Sequence, residues 1–325
     1  MATQAIRKHF AGFTDNAEPR ALIRAGQSDE ALLLGIPLEQ QALLASQQQQ
    51  QAWRIDITQH RLNGNDYLSL TGHPDIVQAQ TLSIKTDAEF VIQSGVFLLD
   101  EHPARKLELK LAHLLGQEDG LICQSGYAAN LGLLQSIADD KTVIYMDTLA
   151  HTSLWEGARR AGATTHPFRH NDAEHLERLV QRHGAGLIVV DSVYSTTGAV
   201  APLVQVVEVA ERRGCMTLVD ESHSLGTHGP QGAGLCAELG LSHRVHFITA
   251  SLAKAFAGRA GFLSVPAAMR NYVLSTSYPN MFSSCLLPHE IAALDATLEV
   301  IRRSDTERQR LHAHTLQLRG MLSDL

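Results

Sequence analysis

Six short apolar runs dominate the middle and later part of the chain: GLICQS (120–125), TVIYMDT (142–148), GLIVVDSVY (186–194), CMTLVDES (215–222), VHFITAS (245–251) and AGFLSV (260–265). Most are β-branched and apolar on both faces, as strands buried within a parallel sheet are. Stretches of helical period separate many of them. ARKLELKLAHLLG (104–116) repeats leucine at Leu107, Leu111, Leu114 and Leu115 and closes on Gly116. NDAEHLERLVQRHG (171–184) is capped by Asn171 or Asp172, buries Leu176, Leu179 and Val180, and ends on Gly184. Strands alternating with helices predict an α/β fold with its site at the C-terminal ends of the strands.

The flanks differ. Residues 1–60 are polar and helix-leaning, and the Gln-rich ASQQQQQAW (45–53) reads as a solvated helix or linker. NGNDYLSL (63–70) reads as a turn followed by a strand. Residues 286–325 read as two consecutive helices, the first with Ile291, Leu294, Leu298 and Ile301 as its buried stripe. No internal repeat is present.

Composition narrows the class. The 325 residues are 44% hydrophobic and 19% charged, enough for a sizeable core. A net charge of -7 and a pI near 6.2 argue against nucleic acid or an anionic membrane surface as main partner. No apolar run reaches the roughly 18 residues of a transmembrane helix. MATQAIRKHFAGFTDN, at the N-terminus, lacks the apolar centre of a signal peptide. Cys123, Cys215, Cys236 and Cys285 are scattered, as free thiols in a reducing cytoplasm would be.

The chemistry sits where the strands end. LVDESHSLGTHG (218–229) places Asp220 and His223 after one apolar run, and FITASLAKAFAGRAG (247–261) places Ser251 and Lys254 after the next. A carboxylate at a buried strand end can pair with a cationic ring nitrogen, and a lysine nearby can form a Schiff base with an aldehyde. Pyridoxal 5'-phosphate (PLP) requires both. CQSGYAAN (123–130) reads as strand, glycine turn and helix start, so the N–H groups around Gly126 and Tyr127 could cradle a phosphate or simply make a turn. His151 in MDTLAHTSLWEGAR (146–159) is either a helix cap or a ring that stacks on the cofactor. Asp191 and Ser195 close another buried run, where turn chemistry before Gly198 is the plainer reading. No G-x-S-x-G elbow occurs. GPQGAG (229–234) stands outside the dinucleotide-binding register, and Asp220, Glu221, His223 and His228 lack a recognised zinc spacing, so no metal is expected.

Four long segments, SLWEGAR (153–159), QRHGAGLIVVDSVYSTTG (181–198), LVDESHSLGTHGPQGAGLCAELGL (218–241) and VHFITASLAKAFAGRAG (245–261), together resemble the α-oxoamine synthases, and within them the branch that makes α-hydroxyketone autoinducers. The resemblance covers roughly residues 60–325. It implies PLP-dependent transferase fold type I, the aspartate aminotransferase-like α/β fold with a mostly parallel central sheet and helices on both faces. It divides the chain into an N-terminal helical segment and arm (1–74), a large PLP-binding domain (75–275) and the start of a small C-terminal domain (276–325).

The roles implied are these. Lys254 would bind the cofactor covalently and shuttle the α-proton. Asp220 would pair with the ring nitrogen, His223 and Ser195 would hydrogen-bond its phenolic oxygen, and His151 would stack on the ring. Ser125, Ser251 and the amides of Gly126 and Tyr127 would hold the phosphate. Ser284 would reach the phosphate of the other subunit in a homodimer. Asn65 would lie near the substrate carboxylate, with Val96 and Phe97 along an acyl chain.

The sequence departs from the wider family at VIQSGVFLLDEHPARKLE (91–108), where Gly95, Val96 and Phe97 stand at the place of an expected basic residue. The apolar VFLL suits an acyl chain in the autoinducer branch, or is plain core. His102 is present, its correspondence open. Family members also continue by about half a domain, which carries the arginine that grips the amino-acid carboxylate, so a shortened member is expected here.

The implied reaction is a decarboxylative condensation of a medium-chain acyl-CoA with an amino acid or S-adenosylmethionine, giving an α-aminoketone. The alternatives are another α-oxoamine synthase, of the 8-amino-7-oxononanoate or 2-amino-3-ketobutyrate type, and a PLP-binding protein without activity.

Overall fold

The computed structural model describes residues 64–86 and 92–323. The chain divides into two compact units, Met1–Gly64 and Asn65–Leu325, and every element described belongs to the second. The helix-leaning stretch 1–60, with its Gln-rich run, lies outside the described residues.

Helices α1 (Pro74–Thr86) and α2 (Pro103–Leu114) lead into β1 (Asp119–Cys123), α3 (Gly126–Ile137), β2 (Val143–Asp147), α4 (Thr152–Ala161), β3 (Thr164–Phe168) and α5 (Ala173–His183). Then follow β4 (Leu187–Asp191), α6 (Leu203–Arg213), β5 (Met216–Asp220), β6 (Phe247–Ser251) and β7 (Gly261–Val265). Helices α7 (Arg270–Thr276), α8 (Pro288–Arg302) and α9 (Asp305–Ser323) come last.

The seven strands form one sheet in the order β1-β7-β6-β5-β4-β2-β3. From β6 to β3 all neighbours run parallel, while β7 is antiparallel to both β1 and β6. Two reversals restore direction, so β1 points the same way as β6. The ends of β1, β2, β4, β5 and β6 therefore open on one edge of the sheet.

The apolar runs form strands because each has a core on both sides. Along β4 and β5, Ile188, Val190 and Val219 face one apolar cluster, and Leu187, Val189 and Leu218 face the other. Helices α2, α6 and α8 supply the first cluster through Leu111, Val207 and Leu298, and α3 and α4 supply the second through Leu133 and Leu154. Each such side chain contributes roughly 1.5–3 kcal/mol by leaving water. The stripe Ile291, Leu294, Leu298 and Ile301 of α8 is buried as its spacing predicts, and α8 packs on α1.

Two expectations need correction, and one strand is an addition to the six apolar runs. Residues 64–70 contain a turn and no strand. The Asp66 carboxylate accepts the N–H groups of Leu70 and Thr71 at 2.8 and 3.0 Å, and Ser69 adopts φ +56°, so the backbone bends before any ladder forms. Strand β3, TTHPF, went unread because it is an edge strand with little apolar character and a proline. Phe97 and Leu99 are not core: they are 68% and 75% exposed, on and after a 3-10 turn at Gly95–Phe97, and only Leu98 packs inward. His102 caps α2, its Nδ1 accepting the Ala104 N–H at 3.1 Å.

Cys123, Cys215 and Cys236 are buried, and all four cysteines are free. Among the described residues no helix is long and apolar enough to cross a membrane, and no group of His, Cys, Asp and Glu side chains could hold a metal ion.

Candidate active site

At the open edge of the sheet lies a cavity of about 240 Å³. Its walls come from the start of α3 (Ser125, Gly126, Tyr127, Asn130), the start of α4 (His151, Ser153) and the strand ends carrying Asp191, Asp220, Ser222, His223, Ser251 and Lys254. Nine residues singled out from sequence meet here: Lys254, Asp220, His223, His151, Asp191, Ser125, Gly126, Tyr127 and Ser251.

Asp220 ends β5 and is 3% exposed. Its Oδ1 accepts the Ser222 N–H at 2.8 Å and its Oδ2 accepts Asn130 Nδ2–H at 2.7 Å. The second N–H of Asn130 donates to Ser153 Oγ at 2.9 Å. Ser153 Oγ lies 2.6 Å from His151 Nδ1, and the Ser153 N–H donates to the same nitrogen at 3.3 Å. Nδ1 is thus an acceptor, and the proton of a neutral His151 sits on Nε2. The His151 backbone N–H donates to Asp191 Oδ2 at 2.9 Å. His151 is therefore both a helix cap and a wall of the cavity.

Burial, with the Asp220 charge added, raises the Asp191 carboxyl well above the usual aspartate range. Burial lowers the Lys254 ammonium, while Asp220 and then Asp191 pull it back up. His223 is pushed down to about 4, chiefly by burial and then by the Lys254 charge, with Asp220 opposing. The cavity thus holds an imidazole that is neutral at pH 7 and an amine that gives up its proton more readily than an exposed lysine. Asp147, at the end of β2, is also fully buried, but its carboxylate serves the neighbouring loop through His170, Asn171 and Leu149.

The other end of the cavity is built for close approach. A Cβ on Gly126 would come within 2.6 Å of Ser251 Cβ, so only glycine lets α3 begin against the end of β6. Ser125 Oγ accepts the Ala128 N–H at 3.1 Å, which leaves the first N–H groups of α3 at an open helix N-terminus. Ser222 Oγ accepts the Ser251 N–H at 2.7 Å and ties the ends of β5 and β6 together.

Five sequence-predicted residues lie apart from these walls. Ser195 is exposed on the turn after β4, whose backbone closes through Gly198 N–H to Tyr194 C=O. Its neighbour Ser192 faces inward, donating to the Asp220 carbonyl at 2.9 Å. Ser284 is exposed and bridged to Ser94. Asn65 is exposed, its Oδ1 3.5 Å from the Tyr67 hydroxyl. Val96 and Phe97 form the 3-10 turn that packs near Tyr278–Met281. Sequence reasoning missed Asn130, Ser153, Ser222 and Tyr67. The signal for Asn130 was there: a polar residue one turn into the apolar GYAANLGLL.

A sequence profile of the family described as aminotransferase class I and II matches residues 57–325. The CAI-1 autoinducer synthase of Vibrio campbellii is 47% identical over 264 residues, 81% of this chain and 67% of that protein. A putative 8-amino-7-oxononanoate synthase 2 of Mycobacterium tuberculosis is 36% identical over 256 residues, 78% of this chain and 33% of that protein. Among solved structures, serine palmitoyltransferase from Sphingomonas wittichii superposes with a TM-score of 0.76 at 26% identity, covering 80% of this chain and 66% of that one. The chain thus spans about two thirds of the Vibrio relative and one third of the mycobacterial one.

Proposed function

The chain belongs to the aminotransferase class I and II family, and on that premise we propose that it is an acyltransferase joining an acyl-CoA to an amino-acid-type substrate. Its cofactor is PLP, which supplies an aldehyde for covalent capture and a protonated ring that draws electrons from the substrate α-carbon. One observation carries this reading: a buried carboxylate, a half-buried lysine amine and an open helix N-terminus line the same cavity.

Asp220 keeps a proton on a ring nitrogen, and its two donors, Ser222 N–H and Asn130, hold the carboxylate in place. Lys254 would hold the cofactor, and its amine would take the substrate α-proton, a task that its lowered affinity for a proton, caused by desolvation, assists. His151, fixed by Ser153 and Asp191, gives the ring a flat wall. Gly126, Tyr127 and Ser251 would receive the phosphate. The overall change forms a bond between the substrate α-carbon and the thioester carbonyl carbon. CoA leaves as the thiol, the substrate carboxyl leaves as carbon dioxide, and an α-aminoketone remains.

The 47% identity to a CAI-1 autoinducer synthase supports an autoinducer precursor as product; the medium-chain acyl donor is carried over from the resemblance of the site segments. We further place the site beside a homodimer interface, which the exposed side chains Phe97, Leu99, Tyr278 and Phe282 would cover. The second reading, an 8-amino-7-oxononanoate-type synthase, draws on the mycobacterial relative.

The test is the visible spectrum of the purified chain with PLP, borohydride reduction and peptide mapping, then product mass with acyl donors of graded length. An adduct on Lys254 and an aminoketone from medium-chain donors are expected. An adduct elsewhere, or no ketone from any donor, would overturn the reading.

A further inference from the structure

The Tyr67 hydroxyl lies 2.7 Å from Nδ1 of His223, a residue 156 positions away. The two ring centroids are 6.1 Å apart at 45°. The turn that carries Tyr67 is itself braced. Leu68 and Leu70 are buried on either side of the exposed Ser69, and Asp66 accepts Leu70 N–H, Thr71 N–H and the Thr71 hydroxyl, the last at 2.6 Å. Tyr67 is held half-buried against the imidazole.

The direction of the hydrogen bond follows from the alternatives. A phenol has one proton to give. Donated to Nδ1, it makes a 2.7 Å bond. A phenol is the stronger donor and an imidazole nitrogen the better acceptor of the two, whereas the reverse bond would leave the phenol proton to solvent or to Asn65 Oδ1 at 3.5 Å. Burial raises the Tyr67 phenol above its ordinary value, so the proton is kept. Nδ1 is then the acceptor, and the proton of neutral His223 is on Nε2, on the other side of the ring.

We propose that Tyr67 is a positioning residue of the cofactor site: it fixes His223 as the Nε2–H tautomer, so that the cavity is offered a hydrogen-bond donor and not a lone pair. The inference rests on the PLP reading, because a donor stabilises the anionic phenolic oxygen of that cofactor and a lone pair repels it. It also makes residues 65–71 a part of the site: a shift of that turn releases the ring, although the turn contributes no group to the cavity wall.

The experiment uses the full chain labelled with nitrogen-15 histidine, with H223Q to assign the ring signals, and compares the parent with Y67F. Without cofactor, the parent should show Nδ1 unprotonated and Nε2 protonated at His223. Y67F should move both ring shifts toward the tautomer average, and its thermal unfolding shows whether the fold is kept. With PLP added, Y67F should bind about 5-fold more weakly, the loss of one hydrogen bond, and its visible band should titrate at a different pH.

Should Y67F fail to fold, difluorotyrosine at position 67 keeps the shape and changes only the acidity of the hydroxyl; graded His223 shifts are then expected. Identical His223 ring signals in the parent and a folded variant would overturn the proposal. The first readout needs no cofactor, so a parent that binds no PLP would refute the functional reading while leaving the Tyr67–His223 pair to be judged by its own signals.

Discussion

Asp191 and Asp220 are register partners on adjacent parallel strands, and they are 2% and 3% exposed. Two carboxyl groups so placed cannot both carry full charge cheaply. The structure treats them unequally: Asp220 receives two donors, from Ser222 and Asn130, and Asp191 receives the backbone N–H of His151. Burial, and then the Asp220 charge, raise the Asp191 carboxyl well above the usual aspartate range.

That asymmetry sets a stability effect. With the folded value raised, the native state keeps a proton that the unfolded chain releases above its ordinary 3.8. Stability is therefore fully present below about that pH and declines as pH rises toward the folded value. Replacing Asp191 by Asn removes the decline. The cofactor-free D191N chain should gain about 1 kcal/mol, a few degrees in melting temperature, near pH 7. It should gain nothing below pH 3.8. Calorimetry at the two pH values checks this, and equal gains at both would contradict it.

His223 works in the opposite sense. Its folded value is about 4 against an ordinary 6.5, so between those limits the unfolded chain binds a proton that the native chain refuses. Stability is complete above 6.5 and falls as pH drops toward 4. H223Q should flatten that slope. Urea unfolding of cofactor-free protein at pH 5 and pH 7 measures it: the gap between the two should shrink in the variant.

Asn130 joins Asp220 to the Ser153–His151 pair. Alanine there leaves one oxygen of a buried carboxylate and a buried hydroxyl short of a partner. The cost should be about 1–3 kcal/mol in denaturant titrations. D220N, by contrast, keeps the shape and removes the charge. It should lower single-turnover rate roughly 100-fold or more while the fold persists, as for loss of a transition-state electrostatic group. A rate within a few-fold of the parent would remove Asp220 from the chemistry.

Gly126→Ala forces a Cβ to within 2.6 Å of Ser251 Cβ. The start of α3 must retreat, and with it the N–H groups proposed to receive the phosphate. PLP affinity should weaken about 10-fold or more while pyridoxal, which lacks the phosphate, binds as before. Equilibrium titration with both ligands checks the difference, and equal losses would place the damage elsewhere.

Much of this was legible in the sequence because strand and site are written in the same segments. An apolar run that ends in Asp220, or in Ser251 and Lys254, marks both a buried strand and the edge on which its last side chain stands. What escaped depends on contacts across the fold. Tyr67 meets His223 only after the sheet has closed, and no local pattern shows it. Asn130 and Ser153 are polar residues inside apolar helix faces, visible as anomalies but without a partner until α3 lies beside α4. Ser195 drew attention as a polar residue after a buried run, yet the chain turns at Tyr194 and leaves it outside. Residues 64–70 were misread because a side chain, Asp66, outcompeted the ladder for backbone N–H groups.

The link from Ser251 N–H to Ser222 Oγ has a consequence for tolerance to change. It clamps β5 and β6 at the level where the carboxylate and the amine emerge, so the spacing of those two groups is a property of backbone register. A slip of one residue in β6 would turn Ser251 to the opposite face, draw the Lys254 loop back with it, and separate the carboxylate from the amine at a stroke. The spacing of these two groups is thus exposed to error in the pairing of two central strands.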